Sequence, residues 1–118
     1  MSQVHSAGAV VVLVAALAFL LYALWCAVRK SDPPALALAR KVLAAITGLQ
    51  VLVGVIQLAT GDRPGDSLHL LYAGVALLIV PAASAFASEA PPGARAAALA
   101  AAALLMLAMV WRLYATGS

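Results

Sequence analysis

The sequence predicts an all-α, polytopic membrane protein: one domain, residues 1–118, folded as an up-down-up-down bundle of four transmembrane helices. Three observations carry that reading. Apolar residues make up 66% of the chain and charged residues 9%, against roughly 45–50% and about 25% in an ordinary soluble domain. The mean hydropathy is +1.09, and so short a chain cannot hide that much apolar surface from water. The charges also gather at Pro- and Gly-rich breaks, leaving four long apolar runs. Lipid admits only helices or closed barrels as spanning structures, and runs this long without alternation are helices. A soluble enzyme, a disordered chain and a disulfide-stapled secreted domain are excluded. The single cysteine, Cys26, can form no internal disulfide and belongs to no Cys-rich metal site. The net charge of +3 is to be read by position along the spans, not as a nucleic-acid footprint.

A span needs about 20 mostly apolar residues to cross roughly 30 Å of hydrocarbon. The first, about 6–28, holds no charge and ends at Arg29-Lys30, before Ser31-Asp32-Pro33-Pro34, whose prolines lack an N–H donor. The second, about 36–60, closes on Gly61-Asp62-Arg63-Pro64-Gly65-Asp66, a dense turn signal. The third, about 67–88, is stopped by Glu89 and Pro91-Pro92-Gly93. The fourth, about 94–114, is rich in alanine and has the shortest uncharged core, so Arg112 must snorkel to the interface. Trp25, Trp111, Tyr22, Tyr72 and Tyr114 fit aromatic belts, and Cys26 reads as inert packing.

The basic residues orient these spans in a cell membrane. Arg29, Lys30, Arg40 and Lys41 flank the first link and Arg95 lies in the third, whereas Arg63 and Arg112 are the bases of the opposite side. The positive-inside rule then puts links one and three in the cytoplasm and both termini outside. Span 1 has no basic n-region, and its apolar stretch exceeds that of a signal peptide, so it reads as a retained anchor.

Polar groups inside the spans are few, and intramembrane ionisable groups mark functional sites by default. His5 and His69 open spans 1 and 3 at the same outer level, and Gln57 lies roughly 6 Å below the outer end of span 2 at 1.5 Å per residue. Thr47, Gln50, Gly54, Gln57 and Gly61 share a stripe about 80° wide on span 2. The face of His5 continues through Gly8, Ala9, Val12 and Ala16, and that of His69 through Ala73, Ala76 and Ala83. Small residues allow close helix approach or leave a slot for something flat. Spans 1 and 3 are diagonal in a four-helix square, roughly 12–14 Å apart when neighbours sit 8–10 Å apart. Two imidazoles can face each other there across a planar macrocycle, as paired histidines do in b-type haem sites. Arg63 and Arg112 stand at the same rim to meet propionates. The bland alternatives are an interfacial His5 in a terminal tail, a capping His69 and glutamines acting as interhelical glue.

The stretch GLQVLVGVIQLATGDRPGDSLHLLYAGVALLIVP resembles the paired helices of haem A synthase-type membrane proteins. In that family a helix with a Gln-x-x-x-Gly step precedes a short outer loop and a helix that opens with a haem-ligating histidine. Gln50, Gly54 and His69 match, and VHSAGAVVV supplies His5 as the partner ligand. The resemblance covers about half the chain and implies one haem b with His5 and His69 as iron ligands. It does not imply haem A synthesis: the family has two such bundles and a catalytic carboxylate, whereas spans 1 to 3 carry no acid here. Small multidrug transporters need a glutamate in span 1 and fluoride channels rely on asparagine; neither is present. The expectation is a non-enzymatic electron carrier in the lipid bilayer, serving a membrane redox partner or quinone. The alternative is a cofactor-free accessory subunit of a larger complex or homo-oligomer, with the smooth alanine face of span 4 as its contact surface.

Overall fold

The computed structural model describes the backbone of residues 2–60 and 69–117, and the side chains of residues 7–56, 59–60 and 71–112. Four helices account for nearly all of it: α1 (Ser2–Val28), α2 (Pro34–Ala59), α3 (His69–Phe86) and α4 (Pro92–Gly117). Both α2 and α4 begin on a proline, whose missing N–H costs nothing in a first turn. The carbonyls of the preceding Pro33 and Pro91 accept from the Leu36 and Arg95 amides at 3.0 and 2.8 Å. The helix α1 starts before residue 6, so position 5 lies in helix and not in a tail.

The end of α1 is a complete Schellman motif. The Lys30 amide donates to the Ala27 carbonyl at 3.1 Å and the Ser31 amide to the Cys26 carbonyl at 2.9 Å. Lys30 therefore sits at φ 52°, where glycine is usual.

The helices form a ring in which α1 touches α2 and α4, and α3 touches α2 and α4; α1 and α3 make no close backbone approach among the described residues. Neighbours are antiparallel. Gly8 near the start of α1 lies against Gln50 in the second half of α2, and Gly93 at the start of α4 lies against Lys30 at the end of α1. Tyr72 near the start of α3 meets Arg112 late in α4. This is the up-down-up-down arrangement, with α1 and α3 diagonal.

Among the described residues three helices, α1, α2 and α4, are long and apolar enough to cross a membrane. Among the described residues the shortest helix is α3. Its 18 residues rise about 27 Å, because the helix stops at Phe86 and the chain turns at 87–90, before the expected Ser88. Pro81 lies inside α3 and leaves the Leu77 carbonyl without its usual donor.

The core is dominated by α1 and α4. Val12, Ala16, Phe19, Leu20, Ala23 and Cys26 meet Ala96, Leu99, Ala100, Ala102, Ala103, Met106 and Val110, with Ala76 and Val80 of α3 and Leu36 and Leu43 of α2 closing the sides. Much of the alanine surface of α4 is thus spent inside the bundle. Ala96, Ala100, Ala102 and Ala103 are buried in the bundle, whereas Ala94, Ala97, Ala101 and Ala108 of the same helix are exposed.

Candidate functional site

The expected site lies at the end of the bundle where α1 and α3 begin and α2 and α4 finish. Helical spacing puts position 5 on the face of Gly8, Val12 and Ala16, and Val12 and Ala16 are buried. Position 69 shares its face with Ala73 and Ala76, and Ala76 is buried. Both backbone positions therefore fall on inward faces of diagonal helices, at the same end. The side chains of His5, Gln57 and His69, and the whole of Arg63, lie outside the described residues.

The stripe on α2 faces inward as its spacing requires. Thr47 is buried, and its hydroxyl donates to the Leu43 carbonyl at 2.8 Å, which satisfies it within its own helix. Gln50 and Gly54 are half-buried. The structure brings Gln50 to Gly8: a Cβ built on Gly8 runs into the Gln50 carboxamide. Of the two readings of the small residues, close approach or a slot, Gly8 shows the close approach. The missing side chain makes room for the amide of Gln50, which brings α1 and α2 together at that level.

Across the bundle, Arg112 makes a long hydrogen bond to the Tyr72 hydroxyl, 3.5 Å, with its guanidinium 5.6 Å from the ring centroid. Sequence reasoning left Tyr72 in the aromatic belt. Its signal was its position, three residues after His69 and so on nearly the same face. Arg112 thereby leans to the helix that carries position 69.

Below this end the interior closes. Val12 and Ala16 from α1, Ala76 and Val80 from α3 and Met106 from α4 belong to one buried cluster, so any space between α1 and α3 is confined to the outermost turns. Among the described residues no group of three or more His, Cys, Asp or Glu side chains could hold a metal ion.

At the opposite end, Arg95 forms an ion pair with Asp32 and donates to the Ala90 carbonyl at 2.9 Å, tying links one and three together. The guanidinium of Arg29 lies 4.8 Å from the Trp25 ring, which stacks on Tyr22 at 6.5 Å. Counted along the sequence, five bases and two acids belong to this end, and two bases and two acids to the other. The net charge of +3 is all at one end. No family model, no curated protein and no solved structure matches the chain.

Proposed function

We propose that this chain is a multi-pass protein of the cell membrane, with both termini outside, that holds one b-type haem between α1 and α3 and carries electrons. The observation that carries the reading is the ring order, in which positions 5 and 69 open diagonal helices at one end and on inward faces. A tetrapyrrole between them fits the outermost turns only, since the interior is packed from Val12 downward. His5 and His69 are the residues to hold the iron. The group supplies a one-electron couple, whose potential the surrounding protein sets through ligands, burial and hydrogen bonds.

The remaining residues have definite tasks. Gln50, seated on Gly8, offers an amide dipole beneath the site. Arg112, braced on Tyr72, holds a positive charge at the rim where carboxylates would lie. Membrane insertion is supported by the three helices of spanning length, and α3 crosses with them because the ring surrounds it on two sides. The one-sided charge supports the orientation, with the Arg29–Lys41 segment in the cytoplasm.

Two measurements test the reading. Purified full-length protein should show a reduced-minus-oxidised difference spectrum with b-type bands; colourless protein from haem-replete cells contradicts the haem. A cysteine placed at position 2, in a Cys26→Ala background, should be labelled by an impermeant reagent from outside intact cells. Labelling from the cytoplasmic side alone overturns the orientation.

A further inference from the structure

The stripe on α2 that carries Thr47, Gln50 and Gly54 continues in the other direction through Leu43, Arg40 and Leu36. At 100° per residue these positions span about 80°. Leu36 and Leu43 are fully buried core residues, and Arg40 stands between them, half-buried. An arginine at that place lays its stem along the inward stripe while its guanidinium nitrogens stay accessible, so an anion can reach them.

The protein does not supply it. Among the described residues Arg40 has no hydrogen-bond or ion-pair partner. Of the two acids at this end, Asp32 is committed to Arg95, and Glu89 is exposed and makes no ion pair. The comparison with Arg95 is direct. That arginine is also half-buried, yet it has a carboxylate and a backbone carbonyl.

We propose that the Arg40 guanidinium binds the phosphate of an anionic phospholipid headgroup at the basic end of the bundle. Depth favours a lipid over a dissolved anion. Arg40 lies six residues into α2, about 9 Å along the axis. The Gly8–Gln50 contact between antiparallel helices sets it roughly level with residue 18 of α1, about one turn below Tyr22 of the stacked Tyr22–Trp25 pair. Aromatic pairs of this kind mark the headgroup level. The side chain leans toward the start of α2, hence toward the headgroups. The exposed Leu38, Val42 and Leu49 leave the outside of α2 to acyl chains, which a free phosphate does not bring. Exposed Arg29, Lys30 and Lys41 supply the positive potential that concentrates anionic lipid there, and the forked guanidinium suits a phosphate. The inference rests on the membrane part of the proposed function and not on the haem.

Full-length protein in detergent, titrated with dioleoyl phosphatidylglycerol or the matching phosphatidylcholine, gives the test, with retained lipid counted by native mass spectrometry. Wild type should prefer phosphatidylglycerol by about tenfold. R40Q should lower that preference by about fivefold or more while leaving phosphatidylcholine unchanged, and K41Q should lower it by clearly less than R40Q does. Millimolar inorganic phosphate should not compete. Equal binding of the two lipids by wild type, full preference in R40Q, or displacement by inorganic phosphate overturns the proposal. A phosphatidylglycerol with a photoreactive headgroup keeps the question open to wild type alone: cross-links should fall on the peptide containing Arg40, and cross-links confined to other helices contradict it. A colourless preparation leaves every arm of this test intact.

Discussion

The α1–α4 seam and the α2 side of the ring are built on different principles. In α4, 39% of the apolar window is buried, and in α2 only 17%. The seam is a run of small residues, Ala16, Ala23 and Cys26 against Ala96, Ala100 and Ala103, with Phe19 and Met106 filling the remainder. Without a hydrophobic drive between helices in lipid, close packing of this kind is what holds a bundle together. The α2 side contributes few buried side chains and carries the polar ones: Arg40, Thr47 and Gln50. One half of the ring holds the fold, and the other is loose enough to accommodate polar groups.

Substitutions that fill space should separate the two halves. Ala103 is fully buried in the seam, so Ala103→Leu should destabilise by about 2–3 kcal/mol through overpacking. Ala45→Leu on the exposed face of α2 should stay within about 0.5 kcal/mol. Unfolding in mixed micelles reads both, and equal losses would break the comparison.

Glycines give a finer scale. A Cβ at Gly93 meets the Lys30 Cα at 3.3 Å and its Cγ at 3.1 Å. Backbone cannot swing aside, so Gly93→Ala should cost about 1 kcal/mol in the same assay. At Gly8 the obstacle is the tip of the flexible Gln50 side chain, so Gly8→Ala should cost less than about 1 kcal/mol. Its cost should vanish in a Gln50→Ala background, as a double-mutant cycle would show. Additive effects would mean that the contact does not couple the helices. The effect of opposite sign belongs to Gly74, which has nothing within 4 Å of a built Cβ. Gly74→Ala should stabilise α3 by up to about 1 kcal/mol, the propensity difference alone; a loss would show that something packs there.

Much of this was legible in the sequence, for identifiable reasons. Charges and prolines mark the ends of α1 and α2 to within a few residues, because breaking a helix in an apolar run requires them. The inward stripe of Thr47, Gln50 and Gly54 follows from spacing alone, as does the diagonal relation of α1 and α3 from the short links. Three features were not legible. Alanine has no polarity to show which way it faces, so the burial of Ala100 and Ala103 came only with the packing. Lys30 at positive φ carries no signal, since glycine is the residue that announces such a turn. Arg40 was read as a charge flanking a link, although its spacing from Leu36 and Leu43 already placed it on the stripe. The identity of the acid that pairs with Arg95 depends on links 63 residues apart, which periodicity cannot connect.

The central claim is that the neighbourhood of positions 5 and 69 is a single ligand pair. The measurement is the reduced-minus-oxidised spectrum of His5→Ala and His69→Ala beside wild type, each purified from membranes. Each variant should insert normally, because spanning is driven by the apolar runs, and each should lose or strongly alter the haem bands. Wild-type bands persisting in both variants, or no bands in wild type, would contradict the account.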